Sequence, residues 1–193
     1  MATRRLFQFT FLLLLGAVHA QNAFAMPVGG VQEDQYLETF NIASGTATVE
    51  STVYSYDSGE FVYSYEITND SPVGISFFSV GIIPGADVFD CSYDGIGVID
   101  PAYWSPAGSP VQSVDGLFID TIDNDSLSSA VLWFKSDNSP TMGSALLVGT
   151  MSGLGYTAAG DVLAPSVAPE PATILLLGIG GAVVSLTRRK RPS

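Results

Sequence analysis

Between residues 30 and 160 apolar side chains recur at every second position, interrupted at short intervals by turn residues. The clearest stretch is Phe61, Tyr63, Tyr65 and Ile67, which alternate with Glu60, Val62, Ser64, Glu66 and Thr68. A period of two puts one set on one face, so this stretch predicts a half-buried strand. Its aromatic and β-branched face suits a sheet. Residues 47–56, rich in Thr, Val and Tyr, predict a preceding strand, and Asp57-Ser58-Gly59 joins the two as a hairpin. Residues 36–40 predict a first edge strand. Asn69-Asp70-Ser71-Pro72 turns the chain into a third strand over 75–83, which Pro84-Gly85 stops.

Residues 85–116 break the rhythm. Gly85, Gly95, Gly97, Gly108 and Gly116 fall among Pro101, Pro106 and Pro110. The region reads as a long irregular excursion with short strand pieces such as 97–99. Residues 117–119 and 130–134 follow as strands, the latter with Leu132 and Phe134 on one side and Val131 and Trp133 on the other. Asn138-Ser139-Pro140 turns the chain, 144–150 is a further strand, and 154–157 adds a short one. Strand after strand, with no amphipathic helix of three turns, predicts an all-β fold. The expected form is an antiparallel β-sandwich, Greek-key or jelly-roll-like, over residues 26–163.

The two ends follow another pattern. Residues 1–25 read as a secretory signal peptide helix, with Arg4 and Arg5 as its basic head and an apolar run over 7–18. Val18-His19-Ala20 is one small-residue cleavage site. The better is Ala23-Phe24-Ala25, which places the mature start near Met26. At the other end residues 164–171 form a Pro-rich linker. Residues 172–187 form an apolar run, and 188–193 a basic tail. Sixteen helical residues span roughly 24 Å, slightly short of a bilayer core. A basic cluster at the end of a transmembrane helix stays cytoplasmic. The middle then faces outward.

Val167-Ala168-Pro169-Glu170-Pro171-Ala172-Thr173, the apolar run, and Arg188, Arg189, Lys190 and Arg191 together resemble the PEP-CTERM sorting signal of Gram-negative bacteria. The resemblance covers residues 167–191. It implies recognition and processing near Pro169, Glu170 and Pro171 by a membrane-embedded exosortase, after export by the secretion machinery. The helix would then be a transient inner-membrane address, and the final location the cell surface or extracellular matrix. Family members accompany exopolysaccharide production and biofilm-like matrices. Pro165, Pro169 and Pro171 favour extended backbone, which suits an accessible processing site. A plain spacer before a lasting anchor is the alternative.

Charge sharpens this division. Six of the seven basic residues lie in the first five or last six positions. Residues 26–168 hold one Lys against 18 acids, a net charge of −17. Such a domain does not bind nucleic acid, which needs Lys and Arg to neutralise phosphates. It also repels acidic polymers, so a neutral exopolysaccharide is the more consistent partner.

The candidate chemistry is sparse. His19 is the only His, so a Ser-His-Asp triad or a His-based zinc site is absent from the middle. Asp120-Thr121-Ile122 lacks the Gly of an aspartic-protease signature, and no enzyme activity is expected. Cys91, the only Cys, has no base and sits beside Asp90, which favours a buried, unreactive thiol. Asp120, Asp123, Asn124 and Asp125 offer closely spaced oxygens of the kind Ca²⁺ takes, though without EF-hand spacing. A solvated Asx turn is the alternative. Asp87, Asp90, Asp94 and Asp100 form a second such group. No other cofactor is expected. Tyr103 and Trp104, in the Gly/Pro-rich excursion, are candidate platforms for a carbohydrate ring. The alternative puts Trp133 in the core and Trp104 over its edge.

These observations predict an exported, non-enzymatic surface or matrix protein. The competing expectations are a lectin-like module and a Ca²⁺-stabilised adhesin.

Overall fold

A computed structural model describes residues 25–95, 99–123 and 128–167. The signal segment up to Phe24 and the apolar run at 172–187 lie outside the described residues. Among the described residues no helix is long and apolar enough to cross a membrane.

Ten strands follow in order. They are β1 (Val31–Ile42), β2 (Gly45–Ser55), β3 (Phe61–Asn69), β4 (Gly74–Gly81), β5 (Phe89–Asp94), β6 (Tyr103–Ala107), β7 (Ser113–Ile122), β8 (Val131–Ser136), β9 (Pro140–Met151) and β10 (Leu154–Pro165). They form two five-stranded sheets, ordered β1-β2-β3-β8-β5 and β10-β9-β4-β7-β6, with every strand pair antiparallel. β3 pairs with β8 in one sheet while β4 pairs with β7 in the other, so two long arms are folded over together. β5 and β6 extend the sheets on one side. The hairpins β1-β2 and β9-β10 extend them on the other. Edge strands β1 and β10 approach each other, as do β5 and β6. The expected antiparallel two-sheet architecture is the one observed.

The period of two explains the core. Tyr63, Tyr65 and Ile67 of β3 point inward with Val49 and Val53 of β2 and with Leu132 and Phe134 of β8. Facing them are Ile75, Phe78 and Val80 of β4, Trp104 of β6, Val114 and Phe118 of β7, and Leu147 of β9. On the outer side of β3, Val62 and Ser64 are buried too. The hairpin at 57–59 forms as expected. Gly59 takes a positive φ of 88° there, and its N–H donates to the Tyr56 carbonyl at 2.9 Å.

Two expectations are corrected. The region 85–116 is not an irregular excursion, because it carries β5, β6 and the start of β7. Pro106 does not exclude a strand, because β6 is the edge of its sheet and one side needs no ladder donor. The proposed linker also starts too early. β10 continues through Ala164 and Pro165, which pair with Thr141 and Pro140 of β9, and Ala164 is fully buried.

Candidate functional site

The fold closes beside the sorting segment. Ser166 donates both its backbone N–H and its hydroxyl to the Ser139 carbonyl, at 2.8 and 2.9 Å. Val167 is the last described residue before the Pro-Glu-Pro. The turn at 136–140 is itself built by side chains. Ser136 Oγ donates to Asp87 Oδ1 at 3.0 Å, and the Asp137 N–H donates to the same carboxylate at 3.2 Å. Asn138 Oδ1 accepts the Asp87 N–H at 3.0 Å. Tyr63 donates its hydroxyl to the Asn138 carbonyl at 2.7 Å. This Ser139–Ser166 clamp went unseen in the sequence, where both serines sit among prolines and read as loop. Pro169, Glu170, Pro171, Arg188, Arg189, Lys190 and Arg191 lie outside the described residues. So does Ala23 of the signal site, whereas Ala25 is exposed.

Of the candidate Ca²⁺ ligands, Asp120 and Asp123 fall within the described residues. Asp120 and Asp123 are exposed, and Asp123 Oδ1 accepts the Thr121 hydroxyl at 2.9 Å. Asn124 and Asp125 lie outside the described residues. The second acidic group is dispersed. Asp87 serves the 136–140 turn, Asp90 pairs with Lys135 at 3.2 Å, and Asp94 faces the Met26 nitrogen at 3.4 Å. Among the described residues no group of three His, Cys, Asp or Glu side chains could hold a metal.

The proposed aromatic platform splits in two. Trp104 has no exposed surface, so its ring is not a surface for sugar. It stacks on Phe78 at 6.0 Å with an interplanar angle of 6°, meets Tyr65 edge-on at 6.1 Å, and donates its indole N–H to the Trp133 carbonyl at 2.9 Å. Trp133 is also buried. Tyr103 points the other way, because successive residues of a strand face opposite sides. It opposes Leu117, which opposes Phe77, which opposes Val148. These four make a half-exposed apolar row across the outer face of the second sheet. Cys91 is half-buried, and burial first, then the Asp90 charge, pushes its thiol up to about 12. The thiolate a nucleophile needs is therefore strongly disfavoured at neutral pH.

Fold and tail together define a class: a two-sheet antiparallel β domain joined directly to a sorting segment. The family model of the PEP-CTERM protein-sorting motif matches residues 167–191. The chain carries that motif, which implies an exosortase-linked sorting pathway with processing at the membrane and a surface or extracellular destination. No curated protein and no solved structure matches the chain.

Proposed function

We propose that this is a non-enzymatic component of the cell surface or extracellular matrix, released from its membrane intermediate by cleavage near Pro169-Glu170-Pro171. The observation that carries the reading is the sorting motif at 167–191, set directly after a closed β-sandwich. The domain it delivers is strongly acidic, and burial together with the Asp90 charge raises the pKa of its one thiol. Intact mass of the protein recovered from the surface of an exosortase-bearing host tests the processing. The expected species begins near Met26 and lacks the apolar run and the basic tail. A mature form that retains Arg188 to Arg191 overturns the sorting role.

The row of Tyr103, Leu117, Phe77 and Val148 favours a second reading, in which the outer face of the second sheet binds neutral polysaccharide. Binding on a glycan array that is lost with Tyr103→Ala, and is indifferent to Ca²⁺, supports it. Binding that requires Ca²⁺ supports the adhesin instead.

A further inference from the structure

Residues 26–30 cross the outer face of the first sheet rather than trail away from it. Tyr56 donates its hydroxyl to the Pro27 carbonyl at 2.6 Å. Gly30 sits so close under Tyr56 that a Cβ there would lie 2.6 Å from the ring. These contacts hold the segment in place independently of its first residue. They set Met26 over a shallow pocket lined by Glu50, Thr52, Tyr54, Ser64, Glu66 and Val131. The Met26 nitrogen lies 3.4 Å from Asp94 Oδ2.

The pocket is unusual in its charge. Glu50 and Glu66 are direct cross-strand partners, an arrangement that is destabilising for like charges. Gln35 donates its side-chain amide to Glu50 but brings no charge. Lys135, the sole Lys or Arg of the described residues, is engaged elsewhere, at 3.8 Å from Glu60 and 3.2 Å from Asp90. A positive charge at Met26 would complete the site.

We propose that this pocket is the docking site of the mature amino terminus, created when the Ala25–Met26 bond is cut. The inference rests on reading residues 1–25 as a signal peptide. Hydrolysis breaks the peptide C–N bond, leaves the water oxygen on the Ala25 carboxylate, and leaves Met26 as an α-amine that takes up a proton. A neutral amide N–H facing Asp94 becomes an ammonium facing Asp94, with Glu50 and Glu66 beside it. Ala25 is exposed, so the bond to be cut is accessible. Maturation thus tightens the strap over the sheet, and the precursor lacks this lock.

The test is a four-protein cycle, each member checked by intact mass. The domain begins either at Met26 or one residue earlier with Ala25 retained, and carries either Asp94 or Asp94→Asn. One extra residue moves the amine by about 3.5 Å. With Asp94 present, the Ala25 extension lowers Tm by about 2–5 °C. With Asp94→Asn the extension has a clearly smaller effect, because the Asp94 share of the coupling is gone. Equal effects of the extension in both backgrounds overturn the docking. Exported protein that starts elsewhere than Met26 overturns the cleavage reading, and with it the proposal. The two failures are distinguished by the mass.

Discussion

Asn69→Asp will cost the domain about 2–5 kcal/mol at pH 7, and part of that loss will return at pH 4. Asn69 is fully buried at the end of β3. Its amide nitrogen donates to the carbonyls of Val73 and Ile122, both at 2.7 Å. Its Oδ1 accepts the N–H and the hydroxyl of Ser71, at 2.9 and 2.7 Å. One side chain thereby ties the β3–β4 turn to the end of β7, in the other sheet. A carboxylate keeps the two Ser71 bonds but faces two carbonyls with no proton to give. Burial raises the new carboxyl above its unfolded value of about 3.9. The folded state then holds the proton more tightly than the unfolded chain does. The mutant's stability is therefore greatest below that value and is lost as pH rises through the folded-state value. Urea unfolding of both proteins at pH 4 and pH 7 reads this directly. A deficit of equal size at both pH values would contradict the assignment.

Trp104→Ala will destabilise by about 3–5 kcal/mol, a large share of the stability of an ordinary domain. Trp104 lies across from Gly116 of β7, and Phe78 of β4 lies on the far side of the same glycine. The two rings stack over that gap, and Phe134 of the opposite sheet approaches Trp104 at 6.3 Å. The substitution removes these ring contacts and the indole hydrogen bond together. The expected fall in Tm is about 10–20 °C, with no specific effect on surface binding once folding is allowed for. A loss of glycan binding in a Trp104 variant of unchanged Tm would reinstate the ring as a binding platform. The glycine is part of the same arrangement. A Cβ on Gly116 would sit 3.0 Å from the Trp104 ring, so this glycine makes room for the indole.

That pairing shows where the sequence was legible and where it was not. Alternation in 61–67 announced β3 because each inward residue is apolar and most outward ones are polar. The strand at 103–107 is hidden for two reasons. In β6 the proline is tolerated by an edge. Across β7 the glycine answers a tryptophan that is distant in sequence, so a packing residue looked like a loop residue. Trp104 reads either as a platform or as cover for the core edge because Pro101, Pro106 and Gly108 lie close by in sequence, whereas a strand places it inside and Tyr103 outside. The sorting residues were readable because their order along the chain is itself the signal. The Asp94–Met26 contact joins residues 68 apart, and only the fold brings them together.

The path of β10 has a mechanical consequence. The strand leaves the fold at its Pro165 end, and its register pairs with β9 run from Leu154–Met151 to Pro165–Pro140. Hydrogen bonds in an antiparallel ladder lie across the strands. Tension directed along β10 acts at right angles to those bonds. The load is shared among the rungs in shear instead of opening them one at a time. Until cleavage frees the precursor from its membrane address, tension along this strand would thus meet the domain in its force-resistant direction.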